Sequence, residues 1–125
     1  MIAADTSTWI AFLEGAPGHD TQLLDQALAD RRLLMIPPVF TELLSDPLLS
    51  SSVAQQLMDV PMIDLEPGYW HRAGLLRAKV LSNRRKARLG DALIAQTCLD
   101  RNIPLLTRDH DFRAFAQASE LNLLL

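Results

Sequence analysis

Between Leu89 and Phe112 the chain reads LGDALIAQTCLDRNIPLLTRDHDF, and its apolar positions change period within that stretch. Ala92, Leu93, Ile94, Ala95, Cys98 and Leu99 recur at helical spacing, which predicts a helix with one buried face. Asp91 falls in the first turn, where the helix dipole favours an anion, and Asn102 and Pro104 close the pattern. Pro104, Leu105 and Leu106 then predict a short buried strand. Residues 107–111 leave it as TRDHD, with carboxylates at alternate positions.

The rest of the chain alternates in the same way. Residues 1–4 form an apolar start that ends on Asp5, and Trp9, Ile10, Phe12 and Leu13 continue it as a helix that Asp5 or Thr6 can cap. After a break at residues 15–18, Leu23, Leu24, Ala27 and Leu28 mark a second helix over 20–32, and residues 33–36 predict a second strand. Pro37 and Pro38 stop that strand and open a helix over 39–44 carrying Glu42. A polar segment at 48–58 predicts a further short helix, and 60–65 a third strand. Pro67 opens a longer helix through Trp70, Ala73, Leu76 and Val80, after which 82–88 reads as a basic, mobile loop. Residues 112–117 predict a short helix and 121–125 an edge strand. Strands alternating with helices at this spacing imply an α/β sandwich around a mainly parallel sheet. A length of 125 residues suits one domain spanning 1–125.

Chain direction then brings the acids together. In a parallel unit the helix runs opposite to the strand that follows it, so Asp91 at the helix start lies near Asp109 beyond the strand end. Asp5 and Glu42 follow strand ends too, and Asp111 stands close behind Asp109. A cluster of carboxylates is costly unless a cation occupies it, because like charges raise one another's pKa. Oxygen donors without cysteine or paired histidine suggest magnesium or manganese. Such a centre suits phosphodiester hydrolysis, with Thr6, Ser7 and Thr107 able to hold a ligating carboxylate or a water. The three histidines are too irregularly spaced to suggest a shared role.

Composition narrows the field. The single cysteine, Cys98, excludes an internal disulfide and a multi-cysteine zinc site, and its apolar surroundings mark it as a core residue. Nothing resembles a membrane span or secretory signal, so a cytoplasmic protein is expected. Scattered glycines exclude a dinucleotide fingerprint or P-loop. Net charge is −3, yet seven of the twelve basic residues lie between His71 and Gly90 with no acid among them. Arg84, Arg85, Lys86 and Arg88 lead directly into Asp91, so the segment reads either as a solvated helix and loop or as a contact for a phosphate backbone, that of RNA, beside the acids.

With DTSTWI at Asp5, TELLS around Glu42, GDALIAQTC at Asp91 and LLTRDHDF at Asp109 in order, the whole chain resembles a PIN-domain ribonuclease of the VapC toxin type. The resemblance implies that Asp5, Glu42, Asp91 and Asp109 are the catalytic, metal-binding acids, with Asp111 at a more variable acidic position. It also implies a PIN-like three-layer α/β/α sandwich with a five-stranded parallel sheet and Mg2+- or Mn2+-dependent endoribonuclease activity on structured RNA such as tRNA or rRNA. Its further implications are growth arrest, a homodimer, and a VapB-type antitoxin that can place a basic side chain in the acidic site. Two rivals remain from other classes. A receiver-like phosphoacceptor domain needs an adjacent acidic pair after the first strand and a late lysine. Here Asp5 stands between Ala4 and Thr6, and no lysine follows Lys86. A catalytically silent PIN-like module would use the same acids as a docking surface for basic partners.

Overall fold

The computed structural model describes residues 1–124, so the last residue of the strand expected over 121–125 lies outside the described part. The elements run β1 (Ile2–Ala4), α1 (Thr6–Leu13), α2 (His19–Ala29), β2 (Leu33–Leu34), α3 (Pro37–Leu44), α4 (Ser51–Met58), α5 (Tyr69–Ser82), α6 (Leu89–Arg101), β3 (Leu105–Leu106), α7 (Phe112–Gln117) and β4 (Leu123–Leu124). The strands pair in parallel in the order β2-β1-β3-β4, with Ala3 opposite both Leu34 and Leu105. Among the described residues the sheet thus has four strands, not five.

The missing strand has a local cause. Over residues 60–65 only Met62 makes a bridge, to Met35, through Met35 N–H to Pro61 O at 2.7 Å and Ile63 N–H to Met35 O at 2.9 Å. Pro37 and Pro38 turn the neighbouring chain into α3 straight after Ile36, leaving the segment nothing further to pair with. The long helix also begins later than Pro67, at Tyr69, because Gly68 adopts a left-handed φ of 80° at its N-cap.

Order and direction together locate the functional edge. The β1-to-β2 connection leaves β1 one way, whereas β2-to-β3 and β3-to-β4 run the other way. Right-handed crossovers therefore place the helices on both faces, and the connections diverge between β1 and β3. Asp5 N–H donates to Leu106 O at 3.0 Å at that point, so the carboxyl ends of the two central strands lie side by side.

The core holds this edge rigidly. Trp9, Leu24, Met35, Ile36, Val39, Tyr69, Val80, Ile94, Leu105, Leu106, Phe112 and Phe115 are fully buried around the sheet. Tyr69 packs as an apolar body while its hydroxyl donates to Leu93 O at 2.6 Å, which fastens α5 to α6. Arg72 adds a second tie between the same helices by bonding both oxygens of Asp100, at 2.9 and 2.6 Å. Among the described residues no helix is long and apolar enough to cross a membrane.

Candidate active site

Asp5 follows β1 directly and is only 3 % exposed. It caps α1, accepting from Thr8 N–H at 3.1 Å, and its two oxygens also accept from Ser7 Oγ at 2.8 and 2.9 Å and from Thr107 Oγ1 at 2.8 Å. Desolvation nevertheless wins over these donors. Burial raises the Asp5 carboxyl above its ordinary value, and the charge on Asp109 adds to the rise.

The loop after β3 is folded around Thr107, which is fully buried. While its hydroxyl donates to Asp5, its oxygen accepts from Asp109 N–H at 2.9 Å, and Asp109 Oδ1 accepts from Asp111 N–H at 2.9 Å. Each bond sets the next residue's direction. Asp91, in the first turn of α6, faces this loop, and carboxylate oxygens of Asp91, Asp109 and Asp111 lie within 4.8 Å of one another. The Asp91 carboxyl is pushed up to about 6, first by burial and then by Asp109, with smaller contributions from Asp5 and Asp111 and an opposing one from Arg88.

Glu42 stands apart from this trio. It is exposed on α3, but its Oε1 lies 3.9 Å from where a Cβ on Gly90 would sit, so it borders the start of α6 beside Asp91. Among the hydroxyls expected to support the acids, Ser7 and Thr107 bond Asp5. Thr6 does not, since its Oγ1 is buried without a partner among the described residues.

The basic segment joins α5 to α6 and so ends at the same edge. Arg77 Nε donates to Ala87 O at 2.9 Å and pins the segment's end. Arg84 takes a left-handed φ of 58°, Arg85 donates to Gln117 Oε1 at 2.9 Å, and Arg88 is the N-cap residue of α6. Lys86 reaches Asp111 at 3.3 Å in an exposed pair. Such a pair contributes little to stability.

The sequence pattern gave no role to three residues that the structure joins at this edge. Asp20, 7 % exposed at the start of α2, accepts from Arg108 Nε and Nη2, both at 2.7 Å, and from Thr8 Oγ1 at 3.0 Å. These bonds, Arg108's foremost, hold the Asp20 carboxyl down at about 2 despite burial. Arg108 is raised in turn by the same partner. His19 and His110, far apart in sequence, line one small depression with Asp20, Thr107 and Arg108.

A family model described as "PIN domain" matches residues 2–118. Ribonuclease VapC5 of Mycobacterium tuberculosis strain H37Rv is 25% identical over 126 residues, covering 96% of this chain and 91% of its own length. The crystal structure of VapBC-5 from the same species, a member of the VapBC family of toxin-antitoxin systems, superposes with a TM-score of 0.67 at 21% identity over 98% of this chain and 96% of that one. VapBC2 from Rickettsia felis, solved bound to a DNA fragment from its promoter, gives 0.73 at 19% over 99% and 98%. The match to the domain model spans nearly the whole sequence, and the chain belongs to the PIN domain family.

Proposed function

We propose that this protein is a divalent-metal-dependent endoribonuclease that hydrolyses phosphodiester bonds in structured RNA such as tRNA or rRNA, and that it acts in the cytoplasm as a growth-arresting toxin restrained by a VapB-type antitoxin. The observation that carries this reading is the convergence of Asp91, Asp109 and Asp111 within 4.8 Å at the point where the strand connections diverge. The ribonuclease named among its relatives, and the toxin-antitoxin assemblies among similar structures, support the same activity and the same kind of partner.

The donor set fits a hard cation. All the available ligand atoms are carboxylate oxygens, and beyond the burial that chiefly raises Asp91 to about 6, the charges of Asp109, Asp5 and Asp111 add a repulsion that a positive charge would relieve. When bound, Mg2+ or Mn2+ supplies an activated water and positive charge opposite the scissile phosphate. Asp91, Asp109 and Asp111 are the residues assigned to hold it. Asp5 acts from beneath through Thr107, and Glu42 borders the open side. Arg84, Arg85, Lys86 and Arg88 are assigned to the RNA backbone, since they lie on the segment that leads from α5 into α6 at the acids, where Lys86 reaches Asp111 and Arg88 acts on Asp91.

The test is incubation of purified, antitoxin-free protein with total bacterial RNA in magnesium, in manganese and in chelator, beside Asp91→Asn and Asp109→Asn. Discrete fragments that need metal and vanish in both variants are expected. A wild-type protein as inert as the variants, while still binding its partner protein, would instead identify the acids as a docking surface.

A further inference from the structure

The two acids contributed by the loop after β3 must be held against repulsion. Asp109 and Asp111 sit within 4.8 Å of Asp91, and the chain that carries them runs from a two-residue strand into a six-residue helix. Three like charges so placed drive a loose loop outward. Some tie has to oppose that drive before any cation arrives.

We infer that Arg108 and Asp20 form a clamp that positions Asp109 and Asp111 for metal binding, which makes both of them positioning residues of the centre proposed above, on which this inference rests. Arg108 stands between Thr107 and Asp109, so fixing its side chain fixes the backbone from which Asp109 projects. Its guanidinium meets Asp20 through two parallel bonds of 2.7 Å, a planar two-point contact that sets orientation as well as distance. Asp20 is itself immobilised, 7 % exposed and bonded by Thr8 Oγ1 at 3.0 Å.

Thr8 connects the clamp to the other side of the site. Its backbone N–H binds Asp5 while its hydroxyl binds Asp20. The loop is therefore tied twice to the turn that begins α1, once through Thr107 and Asp5 and once through Arg108, Asp20 and Thr8. Residues 107 and 108 are both anchored, and Asp109 is the next residue along. The close seat of the pair is visible at Gly18, where a Cβ would stand 2.6 Å from Asp20 Oδ1 and 2.9 Å from Arg108 Nη2. Two-point orientation of the acids' own loop is what supporting contacts at a metal centre provide.

The experiment compares the full-length wild type with Arg108→Lys and Asp20→Asn, each shown to be folded by circular dichroism at the working temperature. Mn2+ binding is read by calorimetry without RNA, and cleavage is read separately. Loss of an outer contact of this kind weakens metal affinity by about 10-fold or more. Both variants are expected to show that loss, with kcat reduced and the KM for RNA little changed. Arg108→Lys keeps the charge but cannot make the two-point contact, so it should not rescue. If either variant fails to fold, Thr8→Val removes only the supporting hydroxyl and should give a smaller rise in Kd. Wild-type Mn2+ affinity in every folded variant overturns the clamp. Wild-type affinity in an Asp91→Asn control overturns the metal centre and, with it, the inference built on it.

Discussion

Replacing Asp91 by Asn should stabilise the metal-free protein while disabling the site. The Asp91 carboxyl sits at about 6 in the folded chain against an ordinary 3.8, because burial and the charges of Asp109, Asp5 and Asp111 oppose its ionisation. A folded pKa above the unfolded one means that the native state holds the extra proton between those values. Stability is therefore lost as pH rises from about 4 through about 6, and the loss is complete above that range. The full shift corresponds to about 3 kcal/mol at neutral pH. Asp91 is only half-buried, so water screens part of this, and the variant also forfeits an anion at the α6 N-terminus worth about 0.3–1 kcal/mol. The net expectation is a gain of about 1–2 kcal/mol at pH 7, or roughly 3–8 °C in Tm for a chain of this size. Thermal and urea unfolding in chelator between pH 4 and 8 measure it, and the advantage should shrink towards zero at the acid end. Saturating Mn2+ should reverse the order, since a ligand at about 100 times its Kd adds roughly 2.7 kcal/mol to the form that binds it. An Asn variant no more stable than wild type in chelator at pH 7 would refute the claim that burial and the neighbouring carboxylates oppose the ionisation of Asp91.

Other perturbations test neighbouring parts of the account. Thr107→Val leaves Asp5 short of a donor and Asp109 N–H without its acceptor in a buried setting, and should cost about 2–4 kcal/mol in urea unfolding as well as activity. Asp20 titrates at about 2 when folded, so its contribution is present above about 4 and is lost as pH falls through about 2. Asp20→Asn should therefore weaken the protein by about 2 kcal/mol at neutral pH, and the deficit should fade near pH 2 in the same unfolding assay. Paired Arg84→Ala and Arg85→Ala should raise the KM for RNA and flatten its dependence on salt, by about 0.7 in log–log slope for each phosphate contact removed. Cys98, fully buried with its thiol pushed up to about 12, should resist thiol reagents until the chain unfolds.

Much of the edge was legible in the sequence because it depends on local rules. Asp91 follows from the start of an apolar helical pattern, Asp109 and Asp111 from alternate positions past a short strand, and their meeting from the direction of parallel connections. Buried strands in a parallel sheet also read as plain apolar runs, which is why residues 60–65 resembled one; what prevents it is the turn that Pro37 and Pro38 force in the adjacent chain. The Arg108–Asp20 contact spans 88 positions, and neither TRDHD nor GHDTQ carries a periodic signal pointing to the other. Thr8 divides the same way: its N–H bond to Asp5 is the local cap of α1, whereas its hydroxyl bond to Asp20 reaches into α2 with no local signal. Ser7 and Thr6 are equivalent by residue type, and only the first turn of α1 decides that Ser7 faces Asp5 while Thr6 finds no partner.

The central claim is that Asp91, Asp109 and Asp111 hold a divalent cation at the edge between β1 and β3. Its most direct test is a crystal of the wild-type chain equilibrated with Mn2+ and measured for anomalous scattering at the manganese edge. The account predicts a peak coordinated by those three carboxylates, absent from Asp91→Asn crystals treated alike. An anomalous map with no peak among them would contradict it.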